Sequence, residues 1–365
     1  MGPASATPLG LGGPASRFHV LSHHEDHLMV LAYAAGRELT TQEGCEEVHA
    51  GSVASTKGRM SPEKLQGTTI VVTGVTGQVA RPLATALARD NRVIGAARFS
   101  DGAARSELEA AGIECIPVDL ESGDMGQLPE DADYVLNFAV AKTNDWERDL
   151  AANSGGLAYL MEHHRSARAF LHCSSTAVYK PEGHRVFDED GPLGDNHGVW
   201  PFLRTYSISK IAAEGTARWA AERFELPTTI ARLSVPYSDA GGWPAIHLHM
   251  MLNGSAIPVH VDAPSVYHPI HAHDILAMVP RLLAAASVPA VTVNWGGSEA
   301  VSIEEWCTYL AGLVGTEARF EPTAQTIDSV QIDTTRMHEL AGTTTVAWRE
   351  GMRRMAKALH PDLVQ

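Results

Sequence analysis

The residues best suited to chemistry are Tyr206 and Lys210, in the run Tyr206-Ser207-Ile208-Ser209-Lys210. A separation of four puts both side chains on one face of a helix, so an ammonium can lie beside a phenol and favour its phenolate. Such a neighbour brings a phenol pKa of about 10 down towards a useful value and makes Tyr206 a proton shuttle for an alcohol or a carbonyl. Tyr-x-x-x-Lys also occurs on ordinary solvated helix faces. Here it lies downstream of His172-Cys173-Ser174-Ser175-Thr176-Ala177-Val178-Tyr179, at the end of an expected strand, and both follow a phosphate-type turn.

That turn lies within residues 68–90. Ile70, Val71 and Val72 form a β-branched run suited to a buried parallel strand, which stops at Thr73-Gly74. After Gly77 the apolar Val79, Leu83, Ala84, Ala86 and Leu87 recur at helical spacing, so the helix presents free N–H groups and its positive dipole end to a diphosphate. Gly74 and Gly77 let the backbone bend close to that phosphate, and Ala80 keeps helix and strand together. A second strand over 92–99 ends near Arg98, where dinucleotide folds read the ribose. An acid there suits the 2′-hydroxyl of NAD and Arg98 suits a 2′-phosphate, so the sequence leans to NADP over NAD.

Further strands are expected over 112–120, 132–139, 169–175 and 228–233, with helices over 103–111, 146–164 and 207–223 between them. This alternation predicts an α/β fold, a doubly wound Rossmann-type parallel sheet. Asp119 ends the third strand, either against the adenine or as a cap or turn acid. Beyond 236 the alternation breaks into a smaller C-terminal substrate lobe, 237–365, interleaved with the last elements of the sheet. It holds His271-Ala272-His273-Asp274 opening a helix, a strand over 290–295, a capping box at Ser302 and Glu305, a strand-like 318–321 and a closing helix over 348–359. Residues 1–66 are an extension, rich at first in Gly, Pro, Ala and Ser, and partly disordered by composition.

The 365 residues carry 28 Lys plus Arg against 43 Asp plus Glu, a formal charge of −15, with no basic run to track nucleic acid. The four cysteines are scattered, and neither a secretory segment nor a long apolar span is present, so the expectation is a cytoplasmic protein with no membrane partner. His19, His23, His24 and His27 cluster beside Glu25 and Asp26 as a compositional tract only, the pairs His247/His249 and His271/His273 lack the spacing of a metal motif, and no metal is expected.

From about residue 68 to 360 the sequence resembles the extended short-chain dehydrogenase/reductase family, also called NAD-dependent epimerase/dehydratase-like. The resemblance rests on Thr73-Gly74-Val75-Thr76-Gly77-Gln78-Val79-Ala80, Ser174 to Tyr179, Tyr206 to Lys210, and Pro269 to Asp274. It implies that Ser175 polarises the substrate oxygen, Tyr206 is the acid/base, Lys210 holds the nicotinamide ribose, and Asn153 completes a proton relay. It also implies that Ala139 and Val140 line the cofactor through their backbone, and that two copies dimerise through the helices flanking the fifth strand. The expected cofactor contacts are then Gly74, Thr76, Gly77, Gln78, Val79, Arg98, Asp119, Leu120, Ala139, Val140, Tyr206 and Lys210.

Nucleotide-sugar members of that family carry an Asn where this chain has Val235, and a phosphate-gripping Arg where it has Tyr267. The partner expected is therefore a small organic molecule, met by Ser175, Thr176, Trp200, Tyr237 and Trp243, with Val199, Phe202, His247, His249, Met250 and Met251 lining a pocket or filling the core. Hydride transfer between nicotinamide and a carbonyl or secondary alcohol is the first expectation. A nucleotide-sugar epimerase or dehydratase with internally recycled cofactor is the alternative, and a non-catalytic dinucleotide sensor the alternative of another class.

Overall fold

The structure is a computed structural model and describes residues 65–364; the extension's histidines lie outside the described residues. Thr69–Thr73 (β1) sits at the heart of a seven-stranded sheet, and Ile70, Val71 and Val72 have no exposed surface at all. The other strands are Arg92–Ala97 (β2), Glu114–Pro117 (β3), Tyr134–Asn137 (β4), Ala169–Ser175 (β5), Thr228–Leu233 (β6) and Val291–Trp295 (β7). Their order is β7-β6-β5-β4-β1-β2-β3, every neighbouring pair parallel. The order reverses between β1 and β4, and a crevice for ligands opens there at the carboxyl ends of the strands.

Helices cover both faces because side chains alternate along each strand. Ile70 and Val72 pack with Leu83 and Ala84 of α1 (Ala80–Leu87), whereas Val71 packs with Leu157 and Leu160 on the other face. Gly102–Ala110 (α2) is capped by Asp101, whose side chain accepts from the amides of Ala103 and Ala104. The single helix expected over 146–164 is instead three pieces: Trp146–Leu150 (α3), a wider π-helical turn at Ala151–Gly155, and Gly156–His163 (α4). An apolar period cannot report a one-residue widening, and such turns recur at functional sites. Tyr206–Phe224 (α5) packs beside α4 through Ala213, Ala217 and Ala220.

Three further helices, Trp243–Leu252 (α6), Ala272–Ala284 (α7) and Ile303–Val314 (α8), precede Thr335–Leu340 (α9) and Trp348–Leu359 (α10). Although α7 and β7 follow residue 236, both serve the sheet: Met278 and Leu282 of α7 join the α1 face. The lobe keeps its own core, in which Leu248, Trp306 and Met352 meet Tyr179 and Phe187. Its α8 begins with the expected capping box, Ser302 Oγ accepting from the Glu305 amide at 3.0 Å and Glu305 Oε2 from the Ser302 amide at 2.9 Å. No helix among the described residues is long and apolar enough to cross a membrane.

Candidate active site

β1 hands over to α1 through a turn in which Gly74 has a φ of +65°. A Cβ there would lie 2.7 Å from the Cα of Ala139, so only glycine permits this approach of the turn to the segment after β4. The Gly77 amide donates to Gly74 O at 2.9 Å and the Arg81 amide to Gly77 O at 2.9 Å, so α1 starts directly on the turn. Beneath the turn, Thr73 Oγ1 donates to Asn137 Oδ1 at 2.5 Å and receives the Ala139 amide at 3.3 Å, while Asn137 Nδ2 meets His172 Nδ1 at 3.0 Å. Burial, aided by the charge of Lys210, holds the His172 pKa down at about 3, so this link across β1, β4 and β5 is neutral. These features suit a dinucleotide, whose diphosphate a helix N-terminus and close backbone can hold.

The remaining expected cofactor contacts fall around the same crevice. Thr76 O accepts from Arg81 Nη2 at 3.4 Å, and Gln78 Nε2 reaches across to Pro236 O at 3.3 Å. Arg98 is exposed just past β2. The acids that could have engaged it are occupied elsewhere: Glu107 pairs with Arg81 at 3.1 Å, and Asp119 caps the turn Leu120–Ser122. Leu120 packs where a Cβ on Gly156 would meet its carbonyl oxygen. Asn153, in the π-helical turn, accepts from the Ala141 amide at 2.7 Å and donates to Ala141 O at 2.9 Å and to Ser209 Oγ at 3.2 Å. It therefore fixes the segment carrying Ala139 and Val140.

Ser175 closes β5 and Tyr206 opens α5, which brings Ser175 near enough to the Tyr206 hydroxyl to favour its ionised form. Here the structure corrects the expectation drawn from Tyr-x-x-x-Lys. Burial drives the Tyr206 pKa up to about 12, and Ser175 is the neighbour that opposes it. Lys210 is itself buried, with its pKa lowered for that reason, and its Nζ donates to Cys173 O at 2.8 Å. Tyr206 is thus held as a neutral phenol, a proton donor at neutral pH.

Sequence reasoning missed His197. It lies in a segment with neither helical nor strand period, yet its ring packs 5.2 Å from that of Tyr206 and 5.7 Å from that of Trp200. Asp149 shows how the surrounding loops are held: fully buried, it accepts from the Thr143 and Asn144 amides and from Thr205 Oγ1 at 2.6 Å. Thr176 is buried beside Ser175. Of the residues expected at the substrate, Tyr237 lies in the lobe core, and Trp243 is half-buried against it. The Tyr237 hydroxyl points to Trp348 O at 3.4 Å, and Trp243 packs against His247, Tyr267 and Trp306. Tyr237 faces inward because the short strands around it must be covered by large side chains to close a small core.

Arg232, at the end of β6, is a structural residue, buried against Glu214 with Nη2–Oε2 at 2.8 Å. Among the described residues, no group of three His, Cys, Asp or Glu is arranged to hold a metal ion.

Residues 70–292 match the NAD dependent epimerase/dehydratase family, well over half of the chain. The chain belongs to that family. No curated protein matches its sequence. Among solved structures, UDP-glucuronic acid 4-epimerase from Bacillus cereus, in complex with UDP-glucuronic acid and NAD, is 20% identical, with a TM-score of 0.68 over 80% of this chain and 99% of that one. UDP-glucose 4-epimerase from Thermotoga maritima is 19% identical, with a TM-score of 0.68 over 81% and 99%. The dTDP-glucose 4,6-dehydratase of Bacillus anthracis, in complex with NAD, is 18% identical, with a TM-score of 0.68 over 81% and 97%. These likenesses bear out the Rossmann-type fold read from the alternating strands and helices.

Proposed function

We propose that the chain is an NAD(P)-dependent enzyme that reduces a carbonyl of a small organic molecule, or oxidises the corresponding secondary alcohol, at Ser175, Tyr206 and Lys210. The observation that carries this reading is the placing of Ser175 at the end of β5 near a buried, protonated Tyr206 at the start of α5, on the same sheet whose β1 turn packs Gly74 against Ala139. The nicotinamide, when bound, gives or takes the hydride. Ser175 orients the substrate oxygen, Tyr206 delivers its hydroxyl proton to that oxygen as the carbonyl becomes an alcohol, and Lys210 anchors the end of β5 and reaches the ribose. Asn153 positions the backbone at Ala139 and Val140.

Exposed Arg98 favours NADP over NAD, because its guanidinium is available to a 2′-phosphate. Tighter binding of NADPH than of NADH in a fluorescence titration is expected, and reversal of that order in Arg98→Asp. A nucleotide sugar is disfavoured by the residues at hand. Tyr267 is buried with its hydroxyl on Asp328 O at 2.7 Å, and the lobe arginines, including Arg281, Arg336 and Arg354, are already engaged by protein groups. The second reading, a nucleotide-sugar epimerase, is favoured by the near-complete coverage of the UDP-sugar enzymes above.

Exposed Trp219 and Tyr159 on α5 and α4 support a homodimer through that face, and three buried free cysteines among the described residues support a reducing, cytoplasmic setting. Assay of the purified chain for NADPH and NADH oxidation with ketones, aldehydes and UDP-sugars separates the readings. Net oxidation with a simple carbonyl supports the first. Conversion of a UDP-sugar without net cofactor consumption would replace it with the second.

A further inference from the structure

The hydrogen bonds around His197 define its tautomer. Ser207 Oγ lies 2.7 Å from Ala177 O, a carbonyl that can only accept, so the single hydroxyl proton is committed there. His197 Nδ1, 3.0 Å from the same Oγ, must then be the donor. Its Nε2 consequently carries a lone pair. Among the described residues no hydrogen bond to that atom is recorded, and it is not one of the fully buried unpartnered nitrogens and oxygens, so it keeps some accessible surface on a ring packed 5.2 Å from that of Tyr206. The ring is locked from both sides of the chemistry: Ser207 follows Tyr206, and Ala177 lies two residues after Ser175. Trp200, tilted against the His197 ring, also packs on the lobe core, so His197 stands between the sheet and the lobe. Burial and the charge of Lys142 hold its pKa down at about 4, and the lone pair is present throughout the neutral range.

We propose that His197 Nε2 accepts a hydrogen bond from a substrate hydroxyl on the carbon next to the reacting carbonyl, which makes His197 a specificity-determining residue and the substrate an α-hydroxy carbonyl compound. The inference rests on the carbonyl-reductase reading and deepens it. A site built to bond a substrate hydroxyl rejects the analogue that lacks it, since a polar group is left unpaired.

Two isosteric pairs test this: hydroxyacetone against 2-butanone, and 2-hydroxyacetophenone against propiophenone. The expected kcat/KM preference of the native enzyme for the hydroxy ketone is about tenfold or more. His197→Asn keeps a donor for Ser207 but loses the acceptor, and its preference collapses towards one. His197→Gln carries an amide oxygen to the Nε2 position and retains part of the preference. A preference preserved in His197→Asn and lost in His197→Gln would mean that His197 merely props Ser207, and would overturn the proposal.

A second readout needs no turnover. In ¹⁵N NMR of the native chain with NADP⁺, the His197 Nε2 resonance, identified by its loss in His197→Gln, moves upfield on adding 2-hydroxyacetophenone but not propiophenone. If no carbonyl were reduced, the proposed activity would fall while this measurement still decided the role of His197. An Nε2 signal unmoved by a saturating hydroxy ketone overturns it.

Discussion

The ammonium of Lys210 donates at 2.8 Å to the backbone carbonyl of Cys173, two residues before Ser175. A buried cation spent on a strand end fixes where that end lies, and leaves the hydroxyl of Tyr206 to be governed by Ser175 and by burial. With Tyr206 at about 12 and His197 at about 4, neither group titrates near neutrality.

The reductive kcat/KM should therefore be flat between about pH 6 and about pH 9 and fall only in stronger alkali, as the phenol proton is lost. Steady-state kinetics across that range check this. A falling limb with an apparent pKa near 7 would mean that a group other than this phenol supplies the proton.

Gly74→Ala should weaken dinucleotide binding at least tenfold and cost about 1–3 kcal/mol of stability. The left-handed backbone and the 2.7 Å approach to Ala139 leave no place for a methyl group, so turn and neighbouring segment must part. Cofactor titration and thermal denaturation measure the two effects. Native affinity would show that the turn does not hold the diphosphate.

Glu214 joins Ser174 and Arg232 to the same strand ends, accepting from Ser174 Oγ at 2.6 Å and from Arg232 Nε at 2.9 Å. Burial alone would raise its pKa; its bonds to Arg232 outweigh that and hold it at about 2. A carboxyl depressed in the folded state contributes stability above its unfolded pKa of about 4.3, and that contribution drains away as pH falls towards 2. Denaturation midpoints should decline over that window, with a shallower slope in Glu214→Gln. Removing the side chain in Glu214→Ala should cost about 3–5 kcal/mol at pH 7, because Arg232 is left buried and unpaired.

Much of this site was legible because its parts are local in sequence. A β-branched run meeting Gly74 and Gly77, and a Tyr and a Lys four apart, announce their geometry through spacing alone. The positions of the first six strands followed from the alternation of strand and helix. Other features depend on partners that no spacing reveals. Lys210 turns to a backbone carbonyl, which has no signature in the side-chain alphabet, so the expected pull on Tyr206 was drawn in the wrong direction. His197 sits in a segment without period and gains its place only through Ser207 and Ala177. Tyr237 is an amphipathic type that serves a pocket or a core equally well, and the short lobe strands took it inward.

Trp219, 56% exposed on α5, and Tyr159, 53% exposed on α4, form the apolar face on which the dimer is proposed. Trp219→Glu should shift the chain from dimer to monomer in light scattering, by placing a charge where two copies would bury an indole. An unchanged mass would exclude this face.

The central claim, that Tyr206 passes the proton, is tested most directly by Tyr206→Phe, assayed for NADPH oxidation with a reducible ketone and, separately, for NADPH binding. Phenylalanine keeps the ring that packs on His197 and removes only the hydroxyl facing Ser175. The expected result is a fall in kcat of about 100- to 10,000-fold with cofactor affinity little changed. Turnover at the native rate would contradict the account.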